Sequence, residues 1–350
     1  MKFKRLALTS LFIIFVVGAA FAAWTYRELH TPVAHNHAND YIDVPRGSST
    51  YGVLSQMTSQ GVIRRSWPLA LYLRITGHEA RLQSGQYKFP SPITPLTVLR
   101  KLEEGQQRLN RFMVIEGWTR WDVAEAMARI PELDLDSTDS ALQLMNETNL
   151  VKEIDLQATN LEGYIYPDTY NFPPKVTPQE MIATMVRRFK QVWEAESAKA
   201  AKKDLPPREA LVVASLIETE AKLRAERPLI ASVIYNRLQA GMPLGIDSTV
   251  IYAAKLAGKW RNDGKVYQSY LDSDSPYNTR KTRGLPPGPI ASVGESSIHA
   301  ALNPAQTDYL YYVRDPQRDD GAHNFYNNET DFARGVQALR EWERTRNASQ

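Results

Sequence analysis

The 350-residue chain contains no cysteine. That excludes a disulfide scaffold, a thiol nucleophile and any thiolate-ligated metal site. Histidine is scarce: the six residues at 30, 35, 37, 78, 299 and 323 show no ligand spacing beyond the pair His35 and His37. That pair stands in a polar stretch with no further His or Cys nearby, which reads as solvated side chains, so no metal and no cofactor is implied. Excess charge is missing too. Basic residues number 42 and acidic residues 39, and no acid occurs among the first 24 positions, where Lys2, Lys4 and Arg5 stand. The remainder is neutral, unlike the basic surface a nucleic-acid binder needs, and no nucleic-acid partner is expected. Internal repeats and low-complexity tracts are likewise missing. What is left is ordinary globular composition, 43% apolar and 23% charged, in a length that suits two domains with accessories.

One long apolar run is present. Leu6 to Trp24 comprises 19 residues without a charge, close to what crosses a hydrocarbon core of about 30 Å. The basic cluster before it keeps the short N-terminus cytoplasmic by the positive-inside rule, so everything after Arg27 is exported. A cleaved signal peptide is the competing reading, with Ala19, Ala20, Ala22 and Ala23 as small residues near a cleavage site. The run exceeds the roughly 7–15 residues of a usual signal core, which favours an anchor.

Residues 1–27 are thus expected to form a cytoplasmic stub and transmembrane helix, and 28–48, polar and unpatterned, a linker. Short strands alternating with capped helices follow. Ser84 to Phe89 reads as a turn entering a strand. Thr94-Pro95 opens a helix that stops at Gly105, Leu109 to Ile115 reads as a strand, and Thr119 caps a further helix. Gly85 and Gly117 read as turn residues. These elements suggest a small α+β module over 49–130. A larger α+β domain is expected over 131–345, with helices at 141–149, from Pro178 to about Lys203, and from Asp331 onward.

Arg208 to Leu223 reads as a helix apolar on most of its surface, hence buried. Its second half carries Glu218 and Glu220, which diverge by about 200° and cannot act as adjacent carboxyls. Glu220 continues the bulky stripe Val213, Leu216, Ile217. Glu218 continues Leu211, Ala214, Ser215 and precedes Lys222 at ion-pair spacing. Glu220 is therefore the better candidate for desolvation, which raises a carboxyl pKa and keeps it protonated as a general acid. Arg224, four residues on, would oppose this if it turned inward. Two ordinary solvated glutamates near a helix end is the plain alternative. Farther on, loops around Asp247, Ser275–Thr279 and Gly284–Ile290 are rich in amides, hydroxyls, tyrosines and stiffening prolines. They suit a groove for a polar polymer, although Pro286-Pro287 alone reads as a connecting turn.

Taken in order, Ala214-Ser215-Leu216-Ile217-Glu218-Thr219-Glu220, Glu226-Arg227, Ala231 to Leu238, Gly241-Met242, Asp247, Thr249 to Tyr252, Pro276 to Thr279, Gly284 to Ile290, Tyr309 to Val313 and His323-x-Phe325 resemble the YceG-like family of membrane-anchored endolytic murein transglycosylases. Ser84-Gly85-x-Tyr87, Glu116-Gly117 and Glu162-Gly163 with Pro167-Asp168-Thr169 resemble the N-terminal, LysM-like part of that family. The resemblance implies that Glu220 is catalytic and that the β-1,4 bond between N-acetylmuramic acid and N-acetylglucosamine is cut to a 1,6-anhydro end. It also implies substrate contacts from Glu218, Asn236, Asp247, Thr249, Tyr252, Tyr277, Asn278, Thr279, Leu285 and Pro286. Peptidoglycan glycan strands, the inner membrane and cell-wall synthesis proteins are the implied partners.

The chain departs from the family pattern at Gly245, Ser248, Arg280 and Phe332, which bears on substrate contacts more than on the acid. Two other readings remain. One is a hydrolase in which Asp247 or Asp168 is the second carboxyl that an ordinary glycosidase requires. The other is a non-catalytic glycan-binding anchor.

Overall fold

The computed structural model of the chain describes residues 2–77, 82–105, 109–202 and 204–348; His78 and Lys203 lie outside them. Helices and small two-stranded sheets combine in an α+β architecture of two units, 1–111 with 171–174 and 112–170 with 175–350.

In the first unit, α1 (Lys2–His30) carries the apolar run and continues past it; Thr9–His30 is long and apolar enough to cross a membrane. Then follow β1 (Ile42–Val44), α2 (Thr50–Ser59), α3 (Trp67–Thr76), β2 (Gly85–Tyr87), α4 (Pro95–Glu104) and the start of β3 (Asn110–Met113). β1 and β2 pair antiparallel, Ile42 opposite Tyr87 and Val44 opposite Gly85, around the α2–α3 pair. Val53, Leu54 and Met57 of α2 meet Leu69 and Leu73 of α3, Tyr87 of β2 and Val98, Leu99 and Leu102 of α4 in one core. The caps are as the sequence predicts: the Thr94 hydroxyl accepts the Thr97 amide at 3.2 Å, and Gly105 ends α4 at φ 68°.

The stretch 28–48 is not a linker. Leu29, Ile42 and Val44 belong to the same core, and Val33 bridges Ile93. Its apolar residues are spaced for strand pairing and helix docking, a pattern that its polar average hides.

The second unit contains α5 (Arg120–Ala128), α6 (Thr138–Leu144), α7 (Pro178–Ser197), α8 (Pro207–Glu220), α9 (Arg227–Gln239), α10 (Asp247–Leu256), α11 (Gln268–Leu271), α12 (Glu295–Leu302), the hairpin β5 (Tyr311–Arg314) and β6 (His323–Tyr326), and α13 (Glu329–Ala348). β4 (Thr169–Phe172) pairs with β3, and the boundary between the units runs through these two strands. The boundary expected at 130 thus falls at 111, because α5 packs on α6. α7 ends at Ser197, six residues before the expected stop. In β5–β6, Tyr312 lies opposite Phe325 and Arg314 opposite His323, so one face of the hairpin carries all four.

Gly163 is held at φ 81°, and a Cβ there would come 2.5 Å from the Pro289 ring. Gly163→Ala therefore meets both left-handed strain and a clash, and should cost about 2–3 kcal/mol, read as a lower urea midpoint at unchanged m-value.

Candidate active site

Residues 210–217 of α8 are buried. The helix stops at Glu220 because Ala221 turns extended, φ −88° and ψ 110°. Glu218 and Glu220 point to different surroundings, as their spacing requires. Glu218 is nearly sealed, its side chain 3% exposed. One oxygen accepts from Arg227 Nη2 at 2.7 Å, the other from the Gly294 amide at 2.8 Å. Burial pushes its carboxyl up, while Arg227 and that amide pull it down. Its partner is not Lys222, because the helix ends before that turn is completed. Glu218, expected as a substrate contact, is an interior strut between α8, α9 and the start of α12.

Glu220 is half-buried at the last position of α8. Tyr312 Oη donates to Oε2 at 2.9 Å, and Ser248 Oγ stands 3.4 Å from Oε1 while bonding Thr219 Oγ1 at 2.8 Å. Burial pushes the carboxyl above the ordinary glutamate range. The Tyr312 hydrogen bond opposes this, the Asp247 charge adds to it, and His323 draws it back. The negative end of α8 acts in the same upward direction. Arg224 does not oppose it: the broken helix leaves that side chain 77% exposed near Glu116. Burial and Glu220 keep Tyr312 a hydroxyl donor by raising its own pKa.

The remaining expected contacts separate by depth. Asp247 is exposed and bound to Arg280 at 2.6 Å. Tyr277 and Leu285 are half-buried. Asn236, also half-buried, spends its amide on the carbonyls of Thr307 and Tyr309, both at 2.9 Å. Thr249, Tyr252, Asn278, Thr279 and Pro286, also expected to contact substrate, are interior. Thr249 and Thr279 bond each other at 2.9 Å, joining α10 to the loop after α11. The Asn278 amide ties Leu271 O and Ser273 O. Tyr252 donates to Glu162, whose buried carboxyl also accepts the Arg120 amide and is pushed up to about 7 by desolvation. These residues shape the loops from within.

Three residues around the acid were not singled out from sequence for a role there. Tyr312 binds it, His323 lies edge-on to the Tyr312 ring at 5.4 Å, and Glu226 fixes His323 through Nδ1 at 2.8 Å and its amide at 2.9 Å. Strand alternation over Tyr311–Val313 and His323–Phe325 would have grouped Tyr312 with His323, but nothing local shows that this face meets α8. Ser248, noted as a departure, sits directly against Glu220, and Phe332, another, stacks on Tyr311 at 4.9 Å. Among the described residues, no group of three His, Asp or Glu side chains is placed to hold a metal ion.

Residues 42–338 match the YceG-like family. A Bacillus subtilis relative named endolytic murein transglycosylase is 35% identical over 287 residues, 78% of each chain. A Streptococcus pneumoniae relative of the same name is 25% identical over 318 residues; the match takes in 84% of this chain and 57% of that longer one. The crystal structure of a YceG-like protein from Listeria monocytogenes superimposes with a TM-score of 0.57 at 29% identity, over 84% of this chain and 98% of that one.

Proposed function

Because the chain belongs to the YceG-like family, we propose that it is a lytic transglycosylase of peptidoglycan, a lyase that cuts within glycan strands and so terminates nascent ones. The observation that carries this reading is a half-buried carboxyl, Glu220, held at a helix end by one tyrosine hydroxyl with its pKa raised. Protonated Glu220 gives its proton to the glycosidic oxygen as the bond from C1 of N-acetylmuramic acid to that oxygen breaks. The carboxylate then takes the proton of the muramyl C6 hydroxyl, whose oxygen bonds C1. A 1,6-anhydro end and a free N-acetylglucosamine hydroxyl result, and the acid is restored. No water is consumed, so a second carboxylate is not required. Asp247, fixed on Arg280, supplies charge near the acid rather than a free base. α1 anchors the chain in the inner membrane, with the residues after Arg27 outside the cytoplasm.

The test is digestion of purified sacculi by the full chain in detergent, followed by mass spectrometry of the fragments. New ends lighter by one water than reducing ends support the reading. Reducing ends indicate a hydrolase, and no new ends a glycan-binding anchor.

A pH dependence follows. Glu220 must begin protonated, so the rate falls as pH rises through its raised pKa. Tyr312 stabilises the charged form, hence Tyr312→Phe raises that pKa further and moves the alkaline limb upward. Loss of the hydrogen bond that receives the developing carboxylate should also lower kcat about 10-fold. Glu162 is pushed up too, to about 7, but Tyr312→Phe leaves its limb in place.

A further inference from the structure

α1 does not release the first unit on a flexible tether. Phe21 and Trp24, near the outer end of the apolar run, stack on Trp67 at the start of α3, with ring centroids 5.6 and 5.2 Å apart and planes 17° and 13° apart. Arg65 lies 5.3 Å over the Trp24 ring, and Leu29, farther along the helix, is in the unit's core. Arithmetic along the helix then fixes depth. From Arg5, the last basic residue before the run, Phe21 is about 24 Å and Trp24 about 28 Å along the axis. The hydrocarbon core is about 30 Å thick, and the headgroup layer adds roughly 5–8 Å on each side. Phe21 and Trp24 thus sit in the outermost hydrocarbon, and Leu29, about 36 Å along, in the outer headgroup layer, so α1 is already packed against the unit where it leaves the bilayer.

We infer that the α3 edge of the first unit lies in the outer interface of the bilayer that α1 spans, Trp67 at the hydrocarbon boundary and Arg64 and Arg65 in the headgroup layer. The occupant of this surface is lipid, and the chemistry matches it. Trp67 is 37% exposed and Tyr26 65%, aromatic rings of the kind that collect at such interfaces, and both arginines are exposed for headgroup phosphates. The unit is thereby fixed at one height, without a free linker between bilayer and module. This rests on α1 being a membrane anchor.

The cysteine-free chain allows a direct test. Arg64→Cys and, separately, Val16→Cys are spin-labelled in the full chain and reconstituted into phosphatidylcholine–phosphatidylglycerol vesicles. Depth is read from the relative accessibility to oxygen and to a polar nickel chelate, calibrated with headgroup- and chain-labelled lipids. The residue 16 label is expected in the hydrocarbon, and the residue 64 label at the depth of the headgroup standard. A residue 64 label as accessible to the chelate as one in bulk water, with residue 16 in hydrocarbon, overturns the inference and leaves the anchor standing. A residue 16 label in water overturns both. Trp67→Ala, which removes the stack, should move the residue 64 label outward; no movement contradicts the role given to Trp67.

Discussion

Glu220→Gln is expected to lower glycan cleavage by about 10³–10⁴-fold while the protein stays folded. The amide can neither give a proton to the leaving oxygen nor take one from the C6 hydroxyl, so both halves of the reaction lose their proton carrier. It can still accept from Tyr312, so the surroundings have no reason to rearrange. Stability should move the other way. The folded carboxyl holds its proton more tightly than the unfolded one, because burial opposes its charge. Unfolding between the two pKa values therefore releases a proton, and stability falls as pH rises through that window. The amide is exempt. The variant should melt higher than the wild type at neutral pH, and the advantage should vanish below the ordinary glutamate pKa of 4.5. Release of soluble fragments from sacculi and circular-dichroism melts at two pH values check both halves. A variant that keeps a tenth of the wild-type rate would remove Glu220 from its role.

Arg227→Met is expected to produce the largest loss of stability. Its guanidinium is 5% exposed and faces Glu218, 3% exposed, across 2.7 Å, with Glu116 3.5 Å away. Removing one member of such a pair leaves a desolvated charge without compensation, a cost of about 3–5 kcal/mol. In a unit of this size that lowers the melting temperature by on the order of 10 °C. Glu218→Gln combined with Arg227→Met should recover part of the loss, since no charge then stays buried. A single variant that melts within 2 °C of the wild type, as an order of magnitude, would show that the pair is not the fastening between α8 and α9. Melting curves of the two variants side by side give the answer.

Much of this was legible in the chain itself. The apolar run and its basic flank specify α1, and Thr94-Pro95 with Gly105 bounds α4 by local capping chemistry. The divergence of Glu218 and Glu220 follows from helical geometry alone. What escaped was tertiary. The end of α8 at Glu220 is a backbone turn at Ala221 that no residue type announces, and it sends Arg224 outward and gives Glu218 to Arg227. Polar residues in the loops read as substrate contacts because type and spacing cannot tell a hydroxyl that faces a groove from one that ties two loops together. Thr249 and Thr279 do the latter. Residues 28–48 misled for the opposite reason, their few apolar side chains being enough to seat them in a core.

The central claim is that one carboxyl suffices because the attacking hydroxyl belongs to the sugar. Cleavage carried out in water enriched in heavy oxygen measures this most directly, by mass spectrometry of the newly formed ends. The account predicts no incorporation at the new muramic acid termini. One heavy oxygen per cut would mean that water attacks C1, and would contradict it.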